Sequence, residues 1–196
     1  MKQTKIYFAG PDVFYREVFD IAKEKKRIIH DLSNGRMIGC HPFDNDVEQM
    51  SDPMDMGRMI SRENRKMMDQ CDIILANITP FRGANIDDGT AFEIGYMMAQ
   101  GKPVYAYSNA GTKLYIENVV SWADKTEGVS LSEIDKDGCI RDHDGAVVEQ
   151  FGFPCNLMIG DIIEGRFAVT DTPQPPTDLS AFEQVVNLAL IQYFIV

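Results

Sequence analysis

The chain has 196 residues, 44% of them apolar and 25% charged, enough apolar material for one domain with a substantial core and no linker. Its 30 acidic and 19 basic residues give a formal net charge of −11, which argues against a nucleic-acid partner, because a phosphate backbone rewards a basic surface. No apolar run approaches membrane-spanning length, and polar Lys2 to Lys5 lead straight into strand-like sequence instead of a signal-peptide apolar region, so the expectation is a cytoplasmic protein with no membrane role.

Lys5 to Ala9 is a short apolar, aromatic run stopped at Gly10-Pro11-Asp12, the pattern of a buried first strand running into a loop. Val13 to His30 follows with helical spacing of Phe14, Val18 and Ile21, and with Lys23, Lys25, Lys26 and Arg27 as a basic outer face. Met37 to His41 reads as a second strand. Asp55 to Gln70 reads as a second helix with Met56, Met59, Ile60 and Met67 turned inward. Cys71 to Ile78 is a continuous aliphatic run, as expected of a parallel strand covered on both faces. After a loop, Thr90 to Gln100 reads as a helix ended by Gly101, with a strand at Val104 to Tyr107.

Strands alternating with helices imply a parallel sheet with right-handed crossovers, a doubly wound α/β fold of the flavodoxin or Rossmann kind in a single domain. From Ser108 to Gln150 the periodicity fades into a hairpin-like excursion, with turns at Asp135-Lys136-Asp137-Gly138 and Asp142-His143-Asp144-Gly145. Thr170 to Asp178 reads as a surface connection, and Leu179 to Tyr193 as a closing helix capped at Ser180 with Glu183 three residues on. Cys40, Cys71, Cys139 and Cys155 never form a close pair in sequence and are read as structural thiols. His30, His41 and His143 lack metal-ligand spacing, so no metal is expected.

Ligands of such sheets sit beyond the carboxyl ends of the strands, so Gly10 to Phe14, His41 to Asp46 and Thr79 to Thr90 are expected to converge on one crevice. Glu93 lies nearby in a helix that is apolar on nearly every face, where a carboxylate is partly desolvated. Thr90-x-x-Glu93 also matches a capping box, in which Glu93 only folds back onto a backbone amide, and spacing alone favours that box. Asp72 stands between a functional acid and a strand-end residue bonded to nearby backbone. Met158, between Leu157 and Ile159, has core packing as its ordinary explanation.

The segment Asp87-Asp88-Gly89-Thr90-Ala91-Phe92-Glu93-Ile94-Gly95-Tyr96, with Tyr7-Phe8-Ala9-Gly10-Pro11 upstream and Asn156-Leu157-Met158 downstream, resembles the nucleoside 2-deoxyribosyltransferase family. The resemblance implies exchange of 2-deoxyribose between nucleobases, in nucleoside salvage, with no cofactor. Glu93 would be the nucleophile of a retaining double displacement, Asp72 the proton donor to the departing base, and Tyr7 the hydroxyl orienting the nucleophile. Asp87 would bind the sugar hydroxyls, while Gly10, Phe14, Asp44 and Asn45 would line the base side. Asn156 and Met158 would complete a neighbouring subunit's site, implying a homo-oligomer, a dimer or hexamer.

Two alternatives accompany this reading. An N-glycosidase would hydrolyse deoxynucleosides or their 5'-monophosphates; the loop Gly10-Pro11-Asp12 disfavours a phosphate because its acid would repel one. A non-catalytic nucleotide-binding module would use Glu93 only as a cap.

Overall fold

The computed structural model describes residues 3–111, 114–127, 137–142 and 144–194. The first strand, β1 (Thr4–Ala9), alternates with the two-residue period of an extended chain. Ile6 and Phe8 enter one apolar cluster, while Tyr7 and Ala9 enter another on the opposite face. Strand β3 (Ile73–Asn77) is buried along its whole length and splits the same way, Ile73 and Leu75 against Ile74 and Ala76. With β2 (Met37–Cys40), β4 (Val104–Ser108) and β5 (Phe167–Val169) they form one parallel sheet in the order β2-β1-β3-β4-β5. This is the flavodoxin order, whose topological switch point lies between β1 and β3.

Helices α1 (Val18–Leu32) and α6 (Ser180–Phe194) cover the face of Ile6 and Phe8. Helices α2 (Pro53–Gln70) and α3 (Asp88–Ala99) cover the face of Tyr7 and Ala9. Tyr7 therefore points toward the helix that holds Glu93, a consequence of the alternation that sets it opposite Ile6 and Phe8. Phe8 points the other way and packs over Gly39 so closely that a Cβ there would stand 2.2 Å from the ring.

Several expectations change. The helix read from Val13 begins at Val18, because Pro11–Phe14 form a separate 3-10 turn. Lys25 is not on the outer face: it is buried, its Nζ 2.5 Å from Asp12 Oδ2 and over the rings of Tyr107 and Phe182 at 5.2 Å. Asn77 Nδ2 donates to the other Asp12 oxygen at 3.0 Å, so the loop after β1 is tied to α1 and to the end of β3. Removing one partner of such a buried pair costs about 3–5 kcal/mol.

Asp178, not Ser180, caps the start of the closing helix, its Oδ1 accepting from the backbone N–H and hydroxyl of Ser180. Cys40 and Cys71, far apart in sequence, line one pocket; the neighbouring thiol, opposed by burial and aided by Lys5, holds the Cys40 thiol below its ordinary range.

The excursion after β4 contains a helix, α4 (Tyr115–Glu127), that the fading periodicity hid. Its hairpin character survives as the antiparallel bridge between Arg141 and Val147, with a turn in which Asp142 Oδ1 accepts from Ala146. The part of the first turn at Asp135 and Lys136, and His143 of the second, lie outside the described residues. The short helix α5 (Leu157–Gly160) and β5 were also missed, being four and three residues long. Among the described residues no helix is long and apolar enough to cross a membrane.

Candidate active site

Helix α3 starts at Asp88, two residues before the Thr90 that its apolar pattern suggests. Asp87 is its N-cap, with Oδ2 accepting from the Thr90 backbone N–H at 2.9 Å and from the Thr90 hydroxyl at 3.0 Å. Glu93 thus lies in the second turn, too far along to reach back to the cap, and the Thr90-x-x-Glu93 box does not form. Its carboxylate instead accepts a hydrogen bond from the Tyr7 hydroxyl at 2.5 Å.

Burial raises the Glu93 carboxyl to about 7; the Tyr7 hydrogen bond opposes this, and the nearby Asp87 carboxylate adds to it. Tyr7 is fully buried. Burial first, then the adjacent carboxylate, pushes its phenol above the ordinary range and keeps it a donor.

Above this pair opens a cleft of about 550 Å³, well within the size of small-molecule sites. Gly10, Val13 and Phe14 from the turn after β1 form one wall. Phe43 and Asn45 follow β2, and Met56, Ile60 and Asn64 come from α2. Asp87, Gly89 and Glu93 close the bottom.

Gly10 is required by the close approach: its φ is 151°, and a Cβ would lie 2.6 Å from that of Asn77. Phe14, 54% exposed, stacks on Phe81 with centroids 5.2 Å apart. The Arg82 guanidinium lies over both rings, 5.1 and 4.7 Å from their centroids. Met56, Ile60 and Asn64 recur every four residues, one stripe of α2. The sequence reading sent Met56 and Ile60 to the core, whereas they face the cleft, and it overlooked Asn64; the i, i+4, i+8 spacing was the signal.

The structure therefore brings together Gly10, Phe14, Asn45, Asp87 and Glu93, with Tyr7 beneath. It does not bring Asp72. That residue precedes β3 at the amino edge of the sheet, where its Oδ2 accepts from the Lys5 backbone N–H at 2.8 Å. The five residues of β3 separate it from the crevice, about 16 Å at ~3.3 Å per residue. On this geometry Asp72 does not line the cleft.

Asp44 is not in the cleft lining either: it accepts from the His41 backbone N–H at 2.8 Å and from Lys26 Nζ at 2.5 Å, a turn-closing role. Asn156 caps α5 and donates to Glu149 Oε1 at 2.6 Å, and Met158 is 69% exposed; neither lines the cleft of its own chain. Asp12, 2% exposed and paired with Lys25, is neutralised below the cleft, so its charge is no obstacle to a phosphate. Among the described residues no group of three His, Cys, Asp or Glu side chains is arranged to hold a metal ion.

Comparison with known proteins points to one family. The family model described as nucleoside 2-deoxyribosyltransferase matches residues 6–158, a span that includes every residue of the cleft. An uncharacterized protein of Schizosaccharomyces pombe is 35% identical over 174 residues, 85% of this chain and 81% of that one. A 2-desoxiribosyltransferase from Leishmania mexicana superposes with a TM-score of 0.59 at 28% identity, covering 94% of this chain and 97% of its own. A conserved protein from Enterococcus faecalis shares the fold, with a TM-score of 0.53 at 20% identity over 94% of this chain and 98% of its own. With the motif segments of β1 and α3 meeting at one cleft and the family model spanning both, the chain belongs to the nucleoside 2-deoxyribosyltransferase family.

Proposed function

We propose that the chain exchanges 2-deoxyribose between nucleobases through a covalent glycosyl-Glu93 intermediate. The observation that supports this most is the Tyr7 hydroxyl on Glu93 at the base of an apolar cleft. One carboxylate oxygen is held by Tyr7, leaving the other for the anomeric carbon. The aromatic wall at Phe14 and Phe43 suits a base, and the Asp87 oxygen not bonded to Thr90 suits a sugar hydroxyl.

The base leaves with the electrons of the C1'–N bond as Glu93 bonds to C1'; an acceptor base then attacks C1' from the vacated side and Glu93 departs as carboxylate. Two inversions give retention. Asp87 and Glu93 are the two carboxylic acids of the lining, so the departing base takes its proton from water in the open cleft, and the hydroxide left behind is neutralised by the N–H proton that the acceptor base gives up as it bonds to C1'.

Hydrolysis is the second reading, extending to 5'-monophosphates because Arg82 sits stacked at the cleft rim and forms no ion pair among the described residues. Assembly of copies is part of the proposal: Phe92 on α3 and Met158 on the adjoining α5 are exposed, apolar side chains suited to burial against a second chain.

Incubation with deoxyuridine and adenine separates the outcomes. Deoxyadenosine supports transfer, free uracil without it means hydrolysis, and neither product with deoxyuridine or its 5'-monophosphate overturns both. Glu93→Ala is expected to abolish product while the fold persists.

A further inference from the structure

The base end of the cleft carries an amide pair. Asn45, following β2, donates from Nδ2 to Oδ1 of Asn64 on α2 at 2.9 Å, and both side chains line the cleft among apolar neighbours. Each amide has one oxygen acceptor and one NH₂ donor group. With Asn45 donating to Asn64, Asn45 keeps a free oxygen and Asn64 a free NH₂. Rotating both amides by half a turn preserves the bond between them and exchanges those offers, so that Asn45 presents the NH₂ and Asn64 the oxygen. In either state the pair displays one acceptor and one donor side by side, in opposite order.

That alternation matches the difference between the two chemical classes of nucleobase. An amino base such as adenine presents an N–H donor beside a ring-nitrogen acceptor; an oxo base such as hypoxanthine presents an oxygen acceptor beside a ring N–H donor. The same exchange relates cytosine to uracil. We propose that Asn45 and Asn64 are specificity-determining residues that turn over together, so that one cleft accepts both amino and oxo bases. This rests on the cleft being a base site, and no acid is needed at that end: an amide N–H facing the departing base also shares its developing charge.

A carboxylate cannot exchange donor for acceptor. In Asn45→Asp and in Asn64→Asp the remaining amide donates its NH₂ to the carboxylate, so in either variant the pair displays two acceptors. Adenine's ring nitrogen and hypoxanthine's oxygen each then meet an acceptor, and neither base is matched.

The test is titration calorimetry of adenine and hypoxanthine into the wild-type chain and both variants, alongside turnover with each base as acceptor. The wild type is expected to bind the two within about tenfold of each other. Each variant should weaken both bases by about tenfold or more, the scale of a good paired contact to a base edge. A variant that binds either base as tightly as the wild type, or a wild-type preference beyond about tenfold, overturns the proposal. Near-equal wild-type binding that both variants lose, without any turnover, supports it while removing the transferase reading, so the two fail separately.

Discussion

Replacing Glu93 by Gln is expected to stabilise the protein above neutral pH while removing its activity. In the folded chain the Glu93 carboxyl sits at about 7, against an ordinary value of 4.5. Below the ordinary value the group is protonated in both folded and unfolded chains and contributes no pH dependence. As pH rises from 4.5 toward 7 the unfolded chain releases this proton and the folded chain keeps it, so stability falls across that window and levels off above it. At ~1.4 kcal/mol per pH unit the loss amounts to about 3 kcal/mol, with the surface Glu93 keeps in the cleft lowering the figure.

Glutamine has nearly the shape of the protonated acid and its oxygen still accepts from Tyr7, but it never ionises. Thermal unfolding followed by circular dichroism should therefore show equal melting temperatures near pH 4.5. By pH 8.5 the variant should be ahead by about 6–12 °C for a chain of this length. Parallel melting curves for the two proteins across the whole range would refute the reasoning, because they would mean that Glu93 ionises as freely as a surface acid.

Other consequences concern the same cleft. The Tyr7 hydrogen bond holds the Glu93 carboxyl down against burial, so Tyr7→Phe, which loses a bond to a charged group of ~1.5–3 kcal/mol, should move the acidic limb of the kcat/KM profile upward from about 7 by roughly 1–2 pH units; an unmoved limb would detach Tyr7 from the nucleophile. Asp72, bonded to the Lys5 backbone at the far edge of the sheet, should tolerate conversion to Asn with kcat/KM within about threefold of wild type, and a loss beyond about a hundredfold, in a variant that melts like the wild type, would restore it to the chemistry.

The sequence by itself determined the alternation of strands and helices, and thereby the parallel sheet, because continuous aliphatic runs and helical periods are local signals. It also supplied the segment around Glu93 and the strand of Tyr7, since motif residues are legible without coordinates. Only the tertiary structure decided what depends on which end or face an element presents. Asp72 and Asn77 bracket one strand, yet only the latter stands at the carboxyl edge, bonded to the loop after β1 that forms a cleft wall; nothing local distinguishes the two edges of a sheet. Lys25 reads as surface in a basic run, but the fold places Asp12 and three rings around it.

Met56 and Ile60 have the spacing of a core stripe and instead line a cleft, because periodicity reports which residues share a face and not what that face meets. Thr90 and Glu93 have the spacing of a capping box, but the chain enters α3 at Asp87. With the cap at Asp87 and not Thr90, Glu93 has no capping partner, and Tyr7, 86 residues away in sequence, meets its carboxylate instead. A contact of that range forms only when the β1 and α3 surfaces pack together.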